Sequence, residues 1–70
     1  MVYIKAGYPE GRDGSAWHAV NHLLAGVTEW SLQRVAARHP EDEIPLLPGV
    51  RFPFVRSALR LLGVKATRTK

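Results

Sequence analysis

Apolar residues recur along the chain at three- and four-residue intervals in three separate stretches, the spacing of helices with one buried face. The first stretch predicts a helix over residues 15–25, ended by Gly26. Trp17 and Leu24 fall on its apolar face, and Asn21 falls on its polar face. This helix is expected to form one side of a small core.

The second stretch predicts a helix over residues 28–39, with Thr28 as its N-cap and Glu29 in its first turn, where the helix dipole favours a carboxylate. Its apolar stripe is Leu32, Val35 and Ala36. The connection to the first helix is three or four residues long and contains a glycine. That length is typical of a helix-turn-helix corner.

The third stretch predicts a helix that begins at Pro53, which suits a first helical turn because it needs no backbone donor there. Gly63 ends this helix. The residues expected to face the core are Phe54, Ala58, Leu61 and Leu62.

Short strands are predicted near residues 2–6 and 64–67, and loops over residues 8–14 and 40–49, the latter with three prolines. The basic tail over residues 66–70 is expected to be flexible. The predicted fold is therefore a single compact domain over residues 1–70, mostly α, with three helices and a helix-turn-helix-like hairpin.

Charge divides the chain into two unequal parts. Residues 1–43 carry four basic and six acidic side chains, whereas residues 44–70 carry six basic side chains and no acidic one. A wholly basic segment suits nucleic acid or the acidic surface of another protein. The alternative is that positive charge only keeps a small protein in solution.

Seventy residues without a cysteine make a small core that no disulfide can stabilise, so pairing as a homodimer is one way to complete it. No apolar stretch approaches the roughly 20 residues that cross a bilayer. The first residues lack the pattern of a secretory signal, and we expect a cytoplasmic protein without a membrane partner.

The outer face of the second predicted helix is the first candidate binding surface. Trp30, Gln33, Arg34 and Arg38 recur there at helical spacing, outside the apolar stripe. Arginine can bind guanine and glutamine can bind adenine through the major groove. The alternatives are an ordinary solvated face and a Trp30 that belongs to the core.

A resemblance to a known family points the same way. The order of helix, tight turn, helix and proline-bearing loop before "VRFPFVRSAL" resembles small winged-helix proteins of the excisionase and MerR kind, chiefly over residues 50–62. The resemblance implies that Gln33, Arg34 and Arg38 face the DNA groove and that Arg51 lies on the wing.

Arg56 and Arg60 are four residues apart on the third helix, where like charges slightly oppose helix formation. Phosphates or an acidic protein surface would offset that repulsion. The alternative is two solvated arginines whose methylene stems border the core. Lys65 and Arg68 extend the same basic segment.

Chemistry beyond binding is not expected. His18 and His22 have the spacing of a metal pair, but nothing completes the ligand set, and no nucleophile elbow or phosphate loop is present. We therefore expect no cofactor, no metal and no enzymatic activity. The predicted function is a small regulator that binds duplex DNA, and the alternative is a protein-interaction module for an acidic protein surface. The acidic run 41–43 is left without a role.

Overall fold

A computed structural model describes residues 2–8 and 14–69. The elements follow the chain as strand β1 (Tyr3–Ala6), helices α1 (Ser15–Val27) and α2 (Leu32–Ala36), strand β2 (Ile44–Pro45), helix α3 (Phe52–Leu61) and strand β3 (Ala66–Arg68). Within the described residues, three helices accompany a three-stranded antiparallel sheet. The three predicted helices are confirmed, but the domain is mixed α/β rather than mostly α.

Strand β1 lies at the centre of the sheet, in the order β2-β1-β3. Ile4 and Ala6 are both buried, because alternate residues of a strand share one face. Ile44 lies opposite Ile4, and Ala66 lies opposite Ala6. The two predicted strands are confirmed, although the second begins at Ala66 rather than at residue 64.

Strand β2 lies within residues 40–49, where the prolines predicted only a loop, so that prediction is wrong for Ile44–Pro45. The Leu46 N–H donates to the Val2 carbonyl at 2.8 Å, and Ile44 pairs with Ile4. The residue between two such positions directs its backbone away from the partner strand. Pro45 therefore occupies the sheet without removing a bond between the strands.

The connection between α1 and α2 covers the outer edge of β2. The Glu29 N–H donates to the Pro45 carbonyl at 3.3 Å, and the Leu47 N–H donates to the Val27 carbonyl at 3.0 Å. Thr28 forms a β-bridge with Leu46. This side of the sheet is thereby closed.

Helix α1 runs through Gly26 and ends at Val27, so the prediction that Gly26 ends it is wrong. Gly26 lies inside the helix, and the glycines with positive φ in the described residues are Gly49 and Gly63. The helix stops where Thr28 takes an extended backbone to pair beside β2. Tertiary pairing, not a glycine cap, sets this boundary.

Helix α2 covers five residues, far fewer than the predicted 28–39. Ser31 is its N-cap and accepts the Arg34 backbone N–H at 3.2 Å. Thr28 is not that cap, since it is buried and pairs beside β2. Val35 is buried as predicted, whereas Leu32 is 41% exposed.

Helix α3 begins at Phe52, one residue before the predicted start, and ends at the predicted glycine turn. Pro53 lies in its first turn, and Gly63 follows its last turn with φ of 80°. The Val64 N–H donates to the Leu59 carbonyl at 2.9 Å, and the Gly63 N–H donates to the Arg60 carbonyl at 3.0 Å. This is the Schellman arrangement, which requires the left-handed conformation at the glycine.

The predicted buried face of α3 is wrong for Phe54 and Leu61, whereas Ala58 and Leu62 are half-buried and Leu62 packs against the core. Phe54 is 65% exposed and Leu61 is 89% exposed, while Val55 and Leu59 are fully buried. The core comprises Ile4, Ala6, Val20, Leu24, Val35, Ile44, Leu46, Val55, Leu59, Val64 and Ala66. Trp17 of α1 is buried as predicted.

The C-terminal segment is held to the sheet. Ala66–Arg68 pairs with β1, and the Thr69 N–H donates to the Tyr3 carbonyl at 2.8 Å. The predicted flexible tail is therefore wrong for residues 66–69, and Lys70 lies outside the described residues. The loop predicted over residues 8–14 also lies mostly outside them. No described helix has the length and apolar character that a bilayer crossing needs.

Candidate anion-binding groove

The predicted recognition surface on α2 is only partly exposed. Gln33 and Arg34 face solvent, whereas Trp30 is half-buried and packs against the core. The Arg34 guanidinium lies 4.4 Å from the centroid of the Trp30 ring, at cation–π distance. Trp30 is therefore neither a fully exposed recognition residue nor a fully buried core residue. One part of its ring lies in the core, and another part lies under Arg34.

Arg38 borders that surface but is almost entirely buried. Its side chain is 2% exposed, which overturns the prediction that it faces a DNA groove. Its guanidinium donates to Asn21 Oδ1 at 2.8 Å, to the Val35 carbonyl at 3.0 Å and to the Gly7 carbonyl at 3.3 Å. It also lies 5.2 Å from the centroid of the Trp17 ring. Arg38 is a structural residue that joins α1, the end of α2 and the end of β1.

Acidic residues flank the exposed part of the α2 surface. Asp42 and Glu43 line one shallow groove together with Trp30, Arg34, Ala37 and Arg38. The Asp42 carboxylate accepts the His39 backbone N–H at 2.9 Å, which holds the start of the acidic segment in place. The two carboxylates offset the charges of Arg34 and Arg38 in this groove, so this surface is poorly suited to phosphate.

A second groove, of about 630 Å³, lies between α3 and β3. Its walls are Arg56, Arg60, Gly63, Val64, Lys65, Ala66 and Thr67. Three of these residues are cationic, and none of the described residues that line it is acidic. The groove gathers half of the basic side chains in residues 44–70 on one surface.

The local sequence explains this convergence. Arg56 and Arg60 are one helical turn apart on α3. After the helix, the chain reverses at Gly63 and runs back beside these two arginines. Lys65 and Thr67 then share one face of the chain, because side chains alternate along a strand. The Arg56 guanidinium lies 5.9 Å from the centroid of the Phe52 ring, at the outer limit of a cation–π contact.

The remaining predicted site residues lie elsewhere. Arg51 is the exposed N-cap of α3 and lines a different small groove with Val27, Val50 and Phe54. Arg68 is exposed in β3 but does not line the basic groove. The structure thus brings together Arg56, Arg60 and Lys65, and separates them from Arg34, Arg38 and Arg51.

A metal site is not apparent in the part of the chain that the structure describes, where no cluster of three potential ligands occurs. His18 and His22 are both exposed on α1. No model of a protein family matches the sequence, and no curated protein or solved structure is significantly similar to it. The winged-helix resemblance stays a prediction.

Proposed function

We propose that this protein is a small interaction module, not an enzyme, and that it binds an acidic segment of another protein in the groove between α3 and β3. One observation carries the proposal. Arg56, Arg60 and Lys65 line the same groove, and no carboxylate among the described residues lines it with them. An acidic ligand would supply the missing countercharge.

The positions of the two arginines support this proposal on energetic grounds. Arg56 and Arg60 are one turn apart, and like charges at that spacing weaken a helix by about 0.2–0.5 kcal/mol. Neither side chain is needed in the core, since both are exposed. Carboxylates bound between them would convert this repulsion into two charge-assisted contacts.

Duplex DNA is the second candidate ligand. Arginines one turn apart can bind successive phosphates without reading bases, and Arg68 is exposed on the neighbouring strand. The α2 surface is less suited to DNA binding, because the helix is five residues long and Asp42 and Glu43 line the same groove as Arg34. The favoured ligand is therefore protein.

Two charge-matched double variants test the site. Arg56→Gln/Arg60→Gln removes two cations from the basic groove, and Arg34→Gln/Arg51→Gln removes two exposed cations from outside it. Fluorescence anisotropy would report binding to labelled polyglutamate at about 50 mM salt, where screening is weak. We expect about tenfold weaker binding for the first variant, since two contacts of roughly 0.7 kcal/mol each make a factor of ten.

The second variant should bind within about threefold of the wild type, because each exposed charge outside the site contributes little. An equal loss of affinity in both variants would mean that net charge alone drives binding. The groove would then be excluded as a specific binding site. No binding of polyglutamate would refute the proposed function. If a labelled duplex binds more tightly, with a salt slope that falls by roughly 1.8 in the first variant, DNA is the ligand instead.

A further inference from the structure

The backbone of β3 offers hydrogen bonds on the side that faces away from β1. The Lys65 carbonyl accepts the Gly7 N–H at 3.2 Å, and the Thr69 N–H donates to Tyr3. Thr67 lies between these two residues and is paired with Lys5. Residues 65, 67 and 69 therefore direct their backbone groups toward β1. Those of Ala66 and Arg68 point the other way.

This outer side of β3 is an open sheet edge. Strand β3 ends the order β2-β1-β3, and within the described residues no backbone hydrogen bond reaches the outward N–H groups of Ala66 and Arg68. The opposite edge is closed by the Glu29 bond to Pro45. Ala66 also lines the basic groove, so the open edge and the cations share one site.

Charge restricts which strand can pair there. Lys65 and Arg68 flank Ala66, and Arg60 lines the same groove. Cations along an edge strand disfavour pairing with a second copy, since the two copies would bring like charges together. A strand that carries carboxylates would meet opposite charges instead.

The spacing of the arginines matches an extended chain. Arg56 and Arg60 are separated by about 6 Å along the helix axis, at 1.5 Å per residue. Side chains on one face of a strand are about 6.7 Å apart, because alternate residues share that face. Acidic residues at alternate positions of an added strand therefore have a spacing close to that of the two arginines along α3.

We infer that the groove binds an extended acidic segment by strand addition to β3. The inference rests on the proposed function and specifies its geometry. The backbone of the segment exchanges hydrogen bonds with Ala66 and Arg68, and its alternate carboxylates contact Arg56 and Arg60. Backbone pairing provides affinity, and the alternating charges select the ligand.

N-methylated peptides test strand addition on the intact protein. The probe is a six-residue peptide of alternating glutamate and threonine, acetylated and amidated at its ends. One isomer is N-methylated on the three glutamates and the other on the three threonines. Alternate residues of a strand direct their N–H groups to opposite sides. We expect one isomer to bind about tenfold more weakly, and the other to bind like the parent.

Amide hydrogen exchange provides the second readout. The N–H groups of Ala66 and Arg68 should exchange more slowly when the parent peptide is bound. Thr67 is the internal control, because its backbone already faces β1. Its exchange should change much less.

The outcomes separate the two proposals. Equal binding of both isomers, or unchanged exchange at Ala66 and Arg68 with peptide bound, overturns strand addition and leaves the proposed function standing. Binding of polyglutamate without binding of the hexapeptide also overturns strand addition and leaves the proposed function standing. Failure of both probes at about 50 mM salt overturns both proposals. Displacement of the peptide by duplex DNA at lower concentration, without protection of these two amides, assigns the groove to DNA.

Discussion

Arg38 is the side chain that connects α1 to the chain after α2. Its guanidinium reaches Asn21 on α1, the Val35 carbonyl on α2 and the Gly7 carbonyl after β1. A buried charge is tolerated only when hydrogen bonds replace its hydration. The same atoms that satisfy the guanidinium thus hold three segments in one arrangement.

Replacing Arg38 by alanine should destabilise the fold by about 2–4 kcal/mol, because Asn21 Oδ1 loses its buried donor and a cavity forms. Arg34→Ala is the matched control, one turn earlier and exposed. It should cost less than about 1 kcal/mol, since it loses only the contact with Trp30. Urea unfolding measures both, and similar losses would contradict the buried position of Arg38.

Asn21 is buried, although the sequence pattern placed it on the polar face of the first helix. Trp17, Val20 and Leu24 are all buried on α1, and Asn21 falls among them at helical spacing. An amide on an apolar face requires a polar partner. The sequence does not identify that partner, because Arg38 is 17 residues away and meets Asn21 only in the folded chain.

Among the elements, α3 was predicted to within one residue at its start and correctly at its end, but its orientation was predicted wrongly. Pro53 and Gly63 act through local backbone geometry, which sequence reports directly. The buried face depends on packing against β3. Two apolar stripes satisfy the helical spacing, one with Val55 and Leu59 and one with Phe54 and Leu61, and periodicity alone cannot choose between them.

Two leucines of α3 test this orientation. Leu59→Ala should destabilise the fold by about 2–4 kcal/mol, because Leu59 is fully buried. Leu61→Ala should change the stability by less than about 0.5 kcal/mol, because that side chain is 89% exposed. Thermal or urea unfolding compares them. The reverse order of stabilities would restore the orientation expected from the sequence.

Strand β2 has no local signal that could have predicted it. It contains two residues, one of them a proline, and it exists because Ile44 pairs with Ile4 some 40 residues earlier. The same pairing region ends α1 at Val27 and leaves only a short α2. Long-range pairing thus set the boundaries of α1 and α2, which the local pattern placed at other residues.

At the scale of the whole molecule, acidic and basic residues that are separate in the sequence line different surface grooves. The basic segment 44–70 contains β2, α3 and β3, and three of its cations line one groove. Asp42 and Glu43 lie instead beside Arg34, at the other groove. The sequence predicted a basic binding segment, but only the turn at Gly63 places Lys65 in the same groove as Arg56 and Arg60.

Mapping of backbone amide shifts with a ¹⁵N-labelled protein tests the proposed binding site most directly. Polyglutamate added at about 50 mM salt should shift the amides of residues 56–68 in a saturable manner, with the largest changes around the basic groove. The amides of residues 30–38 should shift little, since Asp42 and Glu43 lie beside that surface. Shifts centred on residues 30–38, or none at that salt concentration, would contradict the assignment of the groove between α3 and β3 as the binding site.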